Sequence, residues 1–98
     1  MDQENNPDEI KPIKVATGID EQIDLYEDKI VIRNKGISNL LKIIAEFKPS
    51  DVKKIIIKPA GVLYNGKIEI QTKKFKYNVE FKAYQQQDFE AIKIILGK

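Results

Sequence analysis

The chain has 98 residues, a formal net charge of +2, and 42% hydrophobic against 33% charged residues, the composition of one ordinary globular domain and not of a disordered chain. It contains neither cysteine nor histidine, which excludes disulfides, thiolate metal sites and the usual general base. No apolar run approaches the ~18 residues that span a bilayer, and the acidic, polar residues 1–6 are the reverse of a signal peptide, so a cytoplasmic protein is expected.

The small net charge hides an asymmetry. Residues 1–28 hold nine acids against Lys11 and Lys14, a net of −7, whereas residues 29–98 carry +9. Residues 1–12, MDQENNPDEIKP, have almost no apolar content to offset ordering entropy and read as a flexible acidic tail ahead of a single domain over 13–98. That tail, at −3, is expected either to stay solvated without contacts or to rest weakly on the lysines of the basic body.

In chain order, Ile13 and Val15 alternate with Lys14 as a short edge strand, and Thr17 and Gly18 punctuate it. Ile23 and Leu25 point one way and Asp24 the other, the period of a half-buried strand. Glu27 and Asp28 turn the chain into a β-branched strand over 29–33, and Asn34, Lys35 and Gly36 are expected to close that hairpin. Residues 37–48 fit a helix capped by Ser38 or Asn39 and a strand about equally. Pro49, Ser50 and Asp51 form a turn.

Ile55, Ile56 and Ile57 lie between lysines and read as a strand buried on both faces. Asn65 and Gly66 signal a hairpin, followed by a strand with Ile68 and Ile70 inward. Lys73 and Lys74 make the next turn. Phe75, Tyr77, Val79 and Phe81 then alternate cleanly with polar residues and predict an inward face. After Tyr84 the period changes: Phe89, Ile92 and Leu96 form a helical stripe, with acids at its start and Gly97 as its stop. Phe89, Ile92 and Leu96 are predicted to pack on the Phe75-to-Phe81 face.

The expected fold class is mainly β with one C-terminal α-helix. Three stretches resemble the bacterial pleckstrin-homology-like domains: GIDEQIDLYEDKIVIRNKG over 18–36, AEFKPSDVKKIIIKPAGVLYNGKIEIQT over 45–72, and VEFKAYQQQDFEAIKIIL over 79–96. The resemblance implies a curled antiparallel sheet or barrel of about seven strands capped by the helix, with a strand near residues 43–48. Many relatives carry a C-terminal oligomerisation helix after the domain, which is expected to be either absent or cut away here.

Chemistry has little to build on. Ser38 and Ser50 have no histidine to activate them. The acid pairs Asp20 and Glu21, Glu27 and Asp28, and Asp88 and Glu90 fall at turns or a helix start, where acids serve structure. Neither residues 59–61 nor residues 65–66 match a phosphate-binding loop. The expectation is no enzyme, no cofactor, no metal and no small-molecule substrate.

Lys53, Lys54, Lys58, Lys67, Lys73, Lys74, Lys76 and Lys82 form the candidate anion-binding surface. At about 1 kcal/mol per lysine near an anionic bilayer, four converging cations suffice for weak recruitment. Phosphoinositide-binding relatives place basic residues in the first hairpin loop, where this chain has Glu27 and Asp28, so specific headgroup binding is not expected. Base reading favours arginine's bidentate fork, and Arg33 is the only arginine. A protein partner or a second copy of the chain is therefore the leading expectation, with a lysine-driven adaptor for anionic lipid or nucleic acid as the alternative.

Overall fold

The structure is a computed structural model that describes residues 11–36 and 41–98. The bulk of the acidic tail and the proposed Ser38 or Asn39 cap lie outside the described residues, and the placement of the tail on the lysines lies there with them.

Seven strands form two antiparallel sheets. The first runs β1 (Lys14–Thr17), β2 (Glu21–Leu25), β3 (Ile30–Lys35) and β4 (Leu41–Phe47), in that spatial order. The second runs β5 (Val52–Lys58), β6 (Gly66–Thr72) and β7 (Lys76–Phe81). Short 3₁₀ turns at Pro49–Asp51 and Ala83–Gln85 lead into β5 and into the helix α1 (Gln86–Leu96). The rival helical pattern over 37–48 gives way to a strand in its described part, because β4 finds a hydrogen-bonded neighbour in β3.

Cross-strand rows build one core. Ala16, Ile23 and Ile32 lie side by side in the first sheet, as do Ile55 with Ile70 and Ile68 with Val79 in the second. All are buried in a single cluster that also takes Phe89 and Ile92 of α1. The Phe81 and Phe89 rings stack with centroids 4.8 Å apart, which fastens the helix to the second sheet. Gly97 then adopts φ 69°, and its N–H donates to the carbonyls of Lys93 and Ile94, ending the helix in the left-handed conformation that glycine enters without a Cβ clash.

No ladder joins the two sheets among the described residues. At one corner a backbone hydrogen bond joins them, the Ile19 N–H donating to the Glu80 carbonyl at 2.9 Å.

Several expectations need correction. Asn34 and Lys35 continue β3 instead of closing a turn, because they pair with Glu21 on one side and with Lys42 and Leu41 on the other. Phe75 is 59% exposed. It falls in the turn before β7, and the half-buried Tyr77 stacks on Phe47 at 5.2 Å. Leu96 is only partly buried.

Of the three isoleucines of β5 only Ile55 is buried, since Ile56 shares a row with Glu69 and Asn78 on the solvent face. Asn65 and Gly66 do not form the tight turn; Gly66 is already the first residue of β6, paired with Phe81. Asp24, read as solvent-facing, is 5% exposed and held by Arg33.

Candidate functional site

Pleating places four of the eight candidate lysines on one surface. The outer face of the second sheet carries the rows Lys54, Gln71, Lys76; Ile56, Glu69, Asn78; and Lys58, Lys67, Glu80. The other four are not on this face's ladder. Lys53 is the extra residue where the β5 register shifts between Val52 and Lys54, Lys73 and Lys74 sit in the β6–β7 turn, and Lys82 precedes the second 3₁₀ turn.

The cofacial set has a carboxylate at its centre. The Gln71 amide donates to Glu69 at 2.6 Å, and Lys76 stands 3.8 Å from the same carboxyl. That hydrogen bond, followed by the fields of Lys76, Lys67 and Lys58, holds the Glu69 carboxyl below the ordinary glutamate range. Glu80 faces Lys67 in the next row. The lysines therefore spend part of their field on two fixed anions, and the surface is a mixed-charge face more than a cationic platform.

Other cations are engaged in the scaffold. Arg33 Nε donates to Asp24 Oδ2 at 2.8 Å, and Gln22 donates to the other carboxylate oxygen at the same distance. The single fork able to read a base or phosphate is thus committed to a nearly buried aspartate. Lys14 Nζ meets Asp88 Oδ1 at 2.8 Å, Lys35 Nζ donates to the Gly18 carbonyl, and Lys93 Nζ donates to the Ile55 carbonyl. Among the described residues no group of three acids is placed to hold a metal ion.

Two apolar surfaces stand outside the core. The first is β4, at the edge of its sheet, where Leu41, Ile43 and Ile44 are each between 40% and 49% exposed. The β3–β4 register shifts between Ile32 and Arg33, leaving Ile44 as the extra residue of a bulge. The bulge interrupts the inward–outward alternation there, so two adjacent isoleucines both meet solvent.

The second is the β5–β6 connection, where Val62 and Leu63 are 100% and 93% exposed and Tyr64 is also exposed. Four connections share one form: the N–H of the first residue donates to the carbonyl of the fourth. This holds for Gly18 to Glu21, Tyr26 to Lys29, Gly61 to Tyr64 and Thr72 to Phe75. The residues between are Ile19 and Asp20, Glu27 and Asp28, Val62 and Leu63, and Lys73 and Lys74. Only the third pair is wholly apolar and fully in solvent.

A readable signal existed for this tip in three consecutive apolar residues between Gly61 and Asn65. Reading residues 65–66 as the turn hid it. The β4 edge had no such signal, since exposure there depends on which strand lies outermost.

Compared with known proteins, the chain matches no family model, no curated protein sequence and no solved structure.

Proposed function

We propose that the chain is a non-catalytic, cytoplasmic interaction module of pleckstrin-homology-like type. In this reading its two sheets curl toward a barrel, and the module binds a protein strand, its own second copy first among them, by addition to β4. The four-strand and three-strand sheets followed by a C-terminal helix support the fold reading.

The state of β4 carries the functional one. The other three sheet edges are each partly covered: α1 packs on β1, with Lys14 paired to Asp88, Lys93 of α1 donates to the Ile55 carbonyl of β5, and Ile19 donates to the Glu80 carbonyl of β7. Among the described residues none makes a hydrogen bond to the outer side of β4. An unpaired edge offers a row of backbone donors and acceptors to an extended chain.

A second copy suits this edge. Two β4 strands running antiparallel about Ile44 set each copy's Lys42 opposite the other copy's Glu46, and each Leu41 opposite the other's Phe47. Opposite charges and apolar pairs facing across strands are favourable, and this twofold arrangement is self-complementary. The solution mass across a range of concentrations tests the reading. A mass rising above the monomer value, and returned to it by Ile43→Lys, supports strand addition; a monomer at every concentration contradicts self-pairing.

The lysine-driven adaptor is the second reading, resting on cofacial Lys54, Lys58, Lys67 and Lys76. Its binding should weaken steeply between low salt and about 0.15 M, whereas strand addition should not.

A further inference from the structure

We propose that the Val62 and Leu63 tip inserts into the interface of an anionic lipid bilayer, a role separate from strand addition at β4. Of the four like-built turns, three place a charged residue at the apex, as expected for a solvated tip. The fourth puts two branched apolar side chains there with no neighbour among the described residues to bury them. Exposed apolar clusters of this kind mark contact sites.

The tip is held in shape. Besides the bond from Gly61 to Tyr64, the Ala60 N–H donates to Gln86 Oε1 at the start of α1 at 2.8 Å. Rigidity matters, because a floppy apolar loop folds back on itself, whereas this one projects.

Its surroundings fit a lipid interface. Tyr64 follows the apex, and Tyr84, also exposed, lies in the 3₁₀ turn after β7, at the same end of the second sheet because Phe81 pairs with Gly66. Tyrosines favour the headgroup level, with the ring in the apolar boundary and the hydroxyl in water. Lys58 and Lys67 face each other at the base of the tip, and Lys82 precedes the Tyr84 turn. Like charges directly opposite each other are unfavourable in an isolated sheet, and an anionic surface relieves them. The acids at this end are Glu80, opposite Lys67, Glu69 in the adjacent row, and Glu90, which lines a shallow cleft with Pro59 and Ile94. A convex tip also suits a deformable interface better than a second rigid protein.

The chain has no tryptophan, so Leu63→Trp makes the tip the only strong fluorophore, and Phe75→Trp does the same at the far end of β6. With equimolar phosphatidylglycerol and phosphatidylcholine vesicles, the full chain should co-sediment. The Leu63→Trp emission should shift to the blue and the Phe75→Trp emission should stay. Val62→Asp with Leu63→Asp should lower partitioning at least about tenfold, and Lys58→Gln and Lys67→Gln about fivefold each. An unchanged melting temperature shows that these variants fold.

Three results overturn the proposal. One is absence of co-sedimentation. Another is sedimentation with an unshifted Leu63→Trp emission, which assigns the binding to another surface. The third is a blue shift of Leu63→Trp without vesicles on raising the concentration, which assigns the tip to a protein contact.

Discussion

The two edges of the first sheet are built alike and finished differently. The edge strand β1 lies under α1, tied to it by the Lys14 and Asp88 pair, and its Ala16 is wholly buried. The edge strand β4 has no such helix over it among the described residues, and its Leu41, Ile43 and Ile44 side chains meet water. One edge is spent on stability and the other is left over. Sheet proteins ordinarily shield both edges, because an open one recruits further strands. An uncovered, bulged edge with isoleucine on it is therefore a place for a partner.

The largest expected effect removes the cover from the closed edge. Phe89 is buried and stacked on Phe81, so Phe89→Ala should cost about 3–5 kcal/mol in chemical denaturation, most of the stability of a domain this small. If α1 were only appended to the sheets, that substitution would leave the midpoint in place.

A smaller effect is expected where the β1–β2 turn meets β7. A Cβ on Gly18 would collide with the Glu80 carbonyl oxygen and lie 2.9 Å from Glu21's. Backbone on both sides yields little, so Gly18→Ala should cost about 1–3 kcal/mol, read as a lowered melting temperature. A neutral outcome would show that the corner between the sheets is loose.

The same corner predicts a pH effect smaller again. Burial raises the Glu21 carboxyl above its ordinary value, Asp20 and Glu80 add to the rise, and the Asn34 hydrogen bond opposes it. The folded state then holds this proton more tightly than the unfolded one. Its ionisation therefore costs stability as pH rises from the unfolded value through the folded one. Glu21→Gln should melt higher than the parent at pH 7 and level with it near pH 3; a lower melting temperature at pH 7 would reverse the sign.

How far the sequence discloses these edges follows from what sets each feature. Local pattern sufficed for α1, whose stripe and glycine stop are properties of one segment. It sufficed as well for the inward isoleucines of β6. It failed for Phe75, because alternation continues one residue past the point where the strand ends and the turn begins.

It failed again for Asp24, whose burial is decided by Arg33 nine residues away. The lysine surface was half legible: strand parity put Lys54, Lys58, Lys67 and Lys76 on one face, but Glu69 in their midst weakens it. The exposure of Leu41, Ile43 and Ile44 follows from strand order, which no local pattern states.

The open edge is tested most directly by charge exchange on β4. Lys42→Glu and Glu46→Lys each set like charges opposite each other in a twofold antiparallel pair, so each variant alone should sediment at the monomer mass of 11.3 kDa. Mixed, the two variants place a lysine opposite a glutamate at both positions. Analytical ultracentrifugation of the equimolar mixture should then show a species of twice that mass, formed only on mixing. A mixture that stays monomeric while the parent chain self-associates would contradict pairing through β4.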